Sequence, residues 1–292
     1  MDLDALCVEA RDIFEKHGHS FSFETVAGTD VEAALREAAV TEGVDVILAA
    51  GGDGTISTAA EIAFEEGIPL AVLPAGTMNL FARALQLPLD LHDALEALAT
   101  GELRSVDIAT ANGVPFVHQF GVGIHARLVR IRENMSYSSR FGKIFASLKA
   151  ILSAAVNPPR FDVEVSTPRG KYMRKTSGIA VSNNPIGEGH MPHADQLDLG
   201  VLGLYVTAPL TTGELARLAT GVMVGRWRGS PMVWEKEVTE VTLRFPRRKR
   251  SAQAVMDGEL IELERSVHIL LHAGGLKVIA PRVETPAEAA CN

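Results

Sequence analysis

The apolar run Val44-Asp45-Val46-Ile47-Leu48-Ala49-Ala50 leads straight into Gly51-Gly52-Asp53-Gly54-Thr55, and a helical pattern continues from Ser57 to Glu66. A buried strand that ends in glycines and reopens as a helix confines the chain to an α/β arrangement. Glycines at such a turn accept positive φ and let a ligand approach the backbone closely. The first amides of the new helix point into the same crevice and favour an anion, most often phosphate. Asp53 sharpens this reading, since a carboxylate about 5 Å from a phosphate charge costs on the order of 3 kcal/mol at an effective dielectric of ~20. An acid there points to a bridging cation, for which Mg²⁺ is the natural choice. The alternative is a glycine-rich turn with Asp53 capping a helix. Neither the Walker A lysine nor the G-x-G-x-x-G spacing is present.

At 292 residues the chain has room for two cores. Its hydrophobic share of 47% and charged share of 22% are those of a soluble globular protein. A net charge of −8 argues against nucleic acid as a partner of the whole molecule. Cys7 and Cys291 show no metal-ligand spacing and no disulfide framework, which fits a reducing cytosol. The acidic start Met1-Asp2-Leu3-Asp4 lacks a signal-peptide pattern, and no apolar run reaches the ~18–20 residues needed to span a bilayer. A cytoplasmic protein is expected, with any membrane contact peripheral.

Spacing predicts a helix over residues 4–17, a strand at Ser20–Val26, and a helix Val31–Glu42 with Asp30 as N-cap and Gly43 as its end. Strand 44–50, helix 57–66 and strand Ile68–Leu73 follow. The unit Pro74-Ala75-Gly76-Thr77-Met78-Asn79 is a second loop, opening into helices Leu80–Leu85 and Leu91–Ala99. This alternation indicates a parallel sheet whose ligands bind at the strands' carboxyl ends, so both glycine loops should converge on one crevice. From about residue 103 strands dominate: Ser105–Ala109, Pro115–Gly121, Phe161–Ser166, Arg174–Ser182, Leu202–Thr207, Glu237–Phe245, Ala254–Met256, Leu260–Glu264 and Val267–Leu271. They read as a largely antiparallel β domain, interrupted by helices at Phe141–Val156 and Thr212–Val224. The expected division is 1–104, 105–282 and a loose tail at 283–292.

Gly51–Thr55 followed by Pro74-Ala75-Gly76-Thr77-Met78-Asn79-Leu80-Phe81-Ala82-Arg83 resembles the catalytic domain of the diacylglycerol kinase family, which includes bacterial lipid kinases and sphingosine and ceramide kinases. The likeness extends to Val106-Asp107-Ile108, Phe120-Gly121-Val122-Gly123 and Met256-Asp257-Gly258-Glu259-Leu260. It implies an ATP-binding α/β domain followed by a β-sandwich, an active site between them, and transfer of the γ-phosphoryl of ATP to a lipid hydroxyl. Carried over, Gly51, Gly52, Gly54 and Thr55 hold the nucleotide phosphates, while Gly76, Thr77 and Asn79 border the nucleotide. Asp53 and Asp107 belong to a Mg²⁺ network, Asp257 matches the catalytic base, and Glu259 is its acidic companion, meeting metal or ribose. The chemistry agrees, because phosphoryl transfer needs positioning, neutralised charge and an acceptor for the hydroxyl proton. Extended, residues 257–259 would put Asp257 and Glu259 on one side, roughly 7 Å apart. The other reading of Asp257-Gly258 is a tight hairpin turn.

The chain departs from the family pattern at several points. The family usually begins with a strand and an Asn-Pro-x-Ser-Gly-type loop, whereas this sequence starts at what resembles the following helix. Leu80 stands where many members carry Asp, Ser57 and Thr58 replace an Asn-Glu pair, and His125 takes a position where an acid is frequent. Asp195 and Asp198 resemble a segment that can hold a structural Mg²⁺, with Leu199 in place of an acid; an ordinary polar turn is the alternative, and His190 and His193 hint weakly at a transition metal.

A kinase acting on lipid must reach its substrate at a membrane surface. Basic residues dominate Arg127–Lys149, and the helix that follows is apolar on one face, suited either to anionic lipid or to a protein core. Arg226-Trp227-Arg228 and Arg244 to Arg250 are further candidates for headgroup contact or plain solvated hairpins. Two rival functions share parts of the pattern: a soluble-substrate kinase of the NAD kinase type, and a non-catalytic nucleotide- or lipid-binding homologue.

Overall fold

The computed structural model describes residues 3–133, 157–187 and 193–282. The expected helix Phe141–Val156, the tail 283–292, Cys291 and His190 lie outside the described residues. The chain divides into two compact units, residues 1–106 with 274–292, and residues 107–273.

In the first unit, α1 (Leu3–Lys16) buries Ala10 and Ile13. It is tied to α5 (Leu91–Ala99) by Lys16 Nζ on Glu96 at 3.0 Å and by His92 Nδ1 on Glu9 at 2.6 Å. The strand expected at Ser20–Val26 does not form. Its aromatics turn to α1 instead: Phe21 stacks on Phe14 at 5.1 Å and Phe23 on Phe21 at 6.4 Å, with Arg11 5.1 Å above Phe23. An alternating segment becomes a strand only against a partner edge. Helix α2 covers Val31–Val40, and Asp30 does not cap it, its carboxylate accepting the Thr29 hydroxyl instead.

Strand β1 (Ile47–Gly51) runs parallel to β2 (Leu70–Pro74), from Ile47 opposite Leu70 to Gly51 opposite Pro74. Their carboxyl ends are thus level, and both glycine loops leave side by side. Between them α3 (Asp53–Glu66) buries Ile56, Ala59, Ala60, Ile62 and Ala63, and ends on left-handed Gly67. It begins at Asp53 rather than Ser57, so part of the glycine loop is itself the first helical turn. The short α4 (Leu80–Ala84) buries Phe81, and α5 is capped by Asp90, which accepts the amides of His92 and Asp93. The end of β14 (Ser266–Ala280) joins this unit, Val278 lying parallel to Leu70.

The second unit is a β-sandwich. In its first sheet β11 (Glu240–Arg244) lies between the beginning of β14 and β6 (Phe161–Thr167), and β7 (Gly170–Thr176) closes the edge, all antiparallel. β3 (Glu102–Ala111) and β4 (Val114–Phe116) form a hairpin alongside. The second sheet runs β10 (Val233–Val238), β9 (Leu202–Thr207), β8 (Gly178–Ser182), β5 (Gln119–Gly123), β12 (Gln253–Met256) and β13 (Glu259–Glu262), again antiparallel. One buried cluster, with Phe116, Phe120, Val163, Leu204, Leu243 and Ile269, joins the two inner faces. Helix α6 (Ile124–Glu133) packs Ala126 and Val129 on Val255, and α7 (Thr212–Met223) sets Leu215 on Leu210 behind a Thr211–Glu214 capping box.

Three predicted strands are each two. Arg174–Ser182 breaks at Ser177 and Glu237–Phe245 at Thr239, where the chain passes from one sheet to the other. Both breaks fall in polar, strand-compatible sequence, Lys175-Thr176-Ser177 and Glu237-Val238-Thr239-Glu240, so the local pattern does not mark the switch. Pro115–Gly121 breaks at Val117–His118 because those amides serve a side chain. Strand β14 continues past Gly274 to Ala280 because Leu276, Val278 and Ala280 are buried.

Candidate active site

Gly76 and Gly52 bring the two loops of the first unit into backbone contact. A Cβ on Gly76 would lie 2.5 Å from the Gly52 Cα and 2.8 Å from Asn79 Oδ1, so only glycine fits. Gly51 is similarly constrained, a Cβ there falling 2.5 Å from Cβ of Thr55. Asn79 is left-handed, with φ 50°. Its Oδ1 accepts the Gly76 amide at 2.9 Å, and its Nδ2 donates to Pro74 O and Gly76 O, both at 3.2 Å. That ring of bonds closes the second loop on itself.

Asp53 ties the loops together. Its Oδ1 accepts the Leu80 amide at 2.6 Å and its Oδ2 the Asn79 amide at 3.2 Å. The carboxylate thereby serves the N-terminus of α4, whose own N-cap residue makes no side-chain cap. The helix-capping alternative for Asp53 is therefore present, at a helix other than its own. Gly54 and Thr55 stand in the first turn of α3, and Thr77 is exposed between the loops' fixed points.

In the second unit, Asp107 is 2% exposed, and its Oδ2 accepts the Gly200 amide at 2.7 Å. Its own amide donates to Leu197 O at 2.6 Å, and its carbonyl accepts Asn183 Nδ2 at 2.9 Å. Asn184 Oδ1 takes the Leu199 amide at 3.0 Å. Asp107 and two buried asparagines thus hold the 197–200 turn. Asp195 and Asp198 sit on that segment, both exposed, with the Asp195 carboxylate filling the space that a Cβ on Gly187 would need. Among the described residues no three His, Cys, Asp or Glu side chains gather to hold a metal ion. Tyr205 steadies the neighbouring strand end, its hydroxyl accepting the Ile186 amide at 2.9 Å, and burial pushes that phenol above its ordinary pKa.

Asp257 and Gly258 form the two-residue turn between β12 and β13, with φ of 47° and 91°. Both central residues are left-handed, the signature of a type I′ hairpin. Residues 257–259 are therefore not extended, and the same-side geometry expected for Asp257 and Glu259 gives way to a turn with Glu259 exposed at the start of β13. The Asp257 carboxylate accepts three backbone amides: Val117 at 2.8 Å, His118 at 2.8 Å and Gln119 at 3.0 Å. Sequence reasoning missed this clamp and the paired asparagines; Asn183-Asn184-Pro185 was the visible signal for the latter.

Comparison with known proteins agrees with these motifs. Residues 2–111, well under half of the chain, match the family model of the diacylglycerol kinase catalytic domain. A diacylglycerol kinase of Bacillus subtilis is 26% identical over 272 residues, covering 88% of each chain. A Staphylococcus epidermidis protein named “Putative lipid kinase” is 31% identical over 157 residues, 52% of this chain and 50% of that one. The chain spans about half the length of the staphylococcal and Synechocystis relatives it matches. The crystal structure of “a putative diacylglycerol kinase from Bacillus anthracis str. Sterne” superposes with a TM-score of 0.77 over 98% of this chain and 91% of that one, at 22% identity. That likeness establishes the fold: a mixed α/β sheet unit followed by a second antiparallel sheet. Among the described residues no helix is long and apolar enough to cross a membrane.

Proposed function

We propose that this protein is an ATP-dependent lipid kinase, transferring the γ-phosphoryl group of ATP to a hydroxyl of diacylglycerol or a related lipid at the cytoplasmic face of a membrane. The observation that carries the reading is the contact of Gly52 with Gly76, locked by Asp53 on Asn79 and Leu80. It presents two glycine loops and the first turn of α3 at level strand ends, the setting in which backbone amides bind phosphate.

The residues fit a bound Mg²⁺ in one mode. Asp53 is the carboxylate at the loop, and Mg²⁺ favours one or two carboxylates combined with phosphate oxygens. When bound, the ion would neutralise charge on the phosphates. Gly51, Gly52, Gly54 and Thr55 are assigned to the phosphates, Gly76, Thr77 and Asn79 to the rest of the nucleotide, and Asp107 to the acidic network through the turn it holds. Asp257 is assigned as the base, with Glu259 beside it. As the lipid oxygen bonds to the γ-phosphorus, the bond from phosphorus to the β,γ-bridging oxygen breaks, and the hydroxyl proton passes to the Asp257 carboxylate. Three donated amides hold that carboxylate in one orientation, as a base acting on a positioned hydroxyl requires.

Incubation with γ-labelled ATP, Mg²⁺ and a total lipid extract tests the reading. Label in a phospholipid, lost on Asp257→Ala, supports it. Label in NADP when NAD is supplied would assign the chain to the soluble-substrate kinases, and nucleotide binding without transfer to any acceptor would make it a non-catalytic homologue.

A further inference from the structure

The outermost strands of the two sandwich sheets, β7 and β10, carry a cluster that the phosphoryl-transfer reading does not use. Tyr172 lies opposite Val165 and Arg174 opposite Val163, while Trp234 lies opposite Val206 and Lys236 opposite Leu204. All four side chains therefore share the inner faces of their sheets, at the open edge of the sandwich. The Tyr172 and Trp234 rings are 5.9 Å apart. The Arg174 guanidinium stands 5.8 Å from the Tyr172 centroid and 5.2 Å from that of Trp234. Lys236 Nζ stands 5.1 Å and 5.8 Å from the same two rings.

Two cations thus share one aromatic pair, and among the described residues neither forms an ion pair. On the other face of β7, Lys171, Met173 and Lys175 alternate outward; Met173 is 60% exposed, and Lys171 meets Glu164 at 2.9 Å. Gly170–Thr176 holds no acid, in a chain of net charge −8, while Glu235 and Glu237 alternate to the far face of β10. Lysines and an inward-pointing arginine disfavour edge pairing with a second copy. Tyr and Trp with one wet end, flanked by long cations, are the side chains of a membrane interface.

We propose that the β7–β10 edge docks this protein on an anionic lipid bilayer, with Arg174 and Lys236 taking lipid phosphates while Tyr172, Met173 and Trp234 enter the interfacial layer. The proposal rests on the kinase reading for its purpose, but its test is independent. In the other basic stretches, Arg247 is paired with Asp162 and Arg248 with Glu262, while Arg228 donates to Ile186 O.

The test is co-sedimentation with vesicles of phosphatidylcholine alone and of phosphatidylcholine mixed with phosphatidylglycerol, at low and high salt. Wild type should bind only the anionic vesicles and release at high salt. Arg174→Gln with Lys236→Gln should weaken partitioning by about fivefold per cation removed, and Lys171→Gln with Lys175→Gln, at exposed positions, should act in the same direction. Lys16→Gln with Arg36→Gln, in the first unit, should leave it unchanged. Phosphorylation of a water-soluble short-chain diacylglycerol should be the same in wild type and both edge variants. Undiminished vesicle binding by both edge variants overturns the proposal, as does binding indifferent to lipid charge. Release by inorganic phosphate but not by chloride of equal ionic strength would replace it with a soluble-anion site, and a dimer lost in the edge variants would replace it with a self-association surface. Absence of kinase activity alongside intact, edge-dependent docking would instead count against the kinase reading alone.

Discussion

The Leu80 amide donates to the Asp53 carboxylate at 2.6 Å, joining the helix that follows the second glycine loop to the helix that opens from the first. Leu80 stands where the resemblance leads to the expectation of an acid, and here that position contributes its backbone. Asp53 consequently has a structural task alongside the metal role assigned to it.

Asp53→Ala should show both tasks. Losing a charged acceptor for two amides is expected to lower stability by about 1–3 kcal/mol, read from urea unfolding. Nucleotide affinity should fall more than tenfold by calorimetry, because α4 no longer holds the Asn79 loop in place. Unchanged stability would remove the capping task from Asp53.

Gly76→Ala and Gly52→Ala form a matched pair. The Cβ at position 76 meets the Gly52 Cα at 2.5 Å, whereas a Cβ at 52 has only the Gly76 Cα within reach, at 3.8 Å. Forcing the loops apart is expected to cost about 1–3 kcal/mol in Gly76→Ala, with severe loss of nucleotide binding. Gly52→Ala should keep its stability, and equal melting temperatures for the two variants would deny the close approach.

Asp257→Asn separates position from chemistry. It retains one carbonyl acceptor for the amides of Val117–Gln119 but offers no carboxylate to a hydroxyl proton. Phosphoryl transfer should fall at least a hundredfold, with KM for ATP nearly unchanged and a smaller loss of stability than in Asp257→Ala. A rate loss matched by the loss of folded protein would reduce Asp257 to a turn residue.

The strap between α1 and α5 should respond to pH. His92 is raised from its ordinary 6.5 by the Glu9 carboxylate, and Glu96 is lowered from 4.5 by Lys16 and His17. A raised histidine contributes fully below 6.5 and loses its contribution as pH climbs through the folded value. A lowered carboxylate contributes fully above 4.5 and loses its contribution as pH falls through its folded value. Amide exchange in α1 should therefore be slowest between pH 4.5 and 6.5, after correction for intrinsic rates. His92→Gln should reduce the loosening on the alkaline side and leave the acid side unchanged, the His17–Glu96 contact remaining.

Elements specified by local pattern were legible from residues alone. Strand Leu202–Thr207 and helix Leu91–Ala99 have the predicted bounds, and the convergence of the glycine loops followed from parallel strands with level ends. Features set by distant partners were not. Ser20–Val26 has a strand's alternation but spends its phenylalanines on α1, and the breaks at Ser177 and Thr239 depend on which sheet receives the chain. Helix α6 was hidden among basic residues read as a charged stretch. At the candidate site the residue types and the meeting of the two glycine loops were legible, whereas the amides of Val117, His118 and Gln119 that hold Asp257 come from a segment that shares no motif with it.

The most direct measurement is transfer of label from γ-labelled ATP to diacylglycerol in mixed micelles with Mg²⁺, comparing wild type with Asp257→Ala and Gly76→Ala. The expected result is labelled phosphatidic acid with wild type and none with either variant, both variants remaining folded. Absence of labelled lipid with wild type across diacylglycerol and a total lipid extract, or undiminished labelling by folded Asp257→Ala, would contradict the assignment.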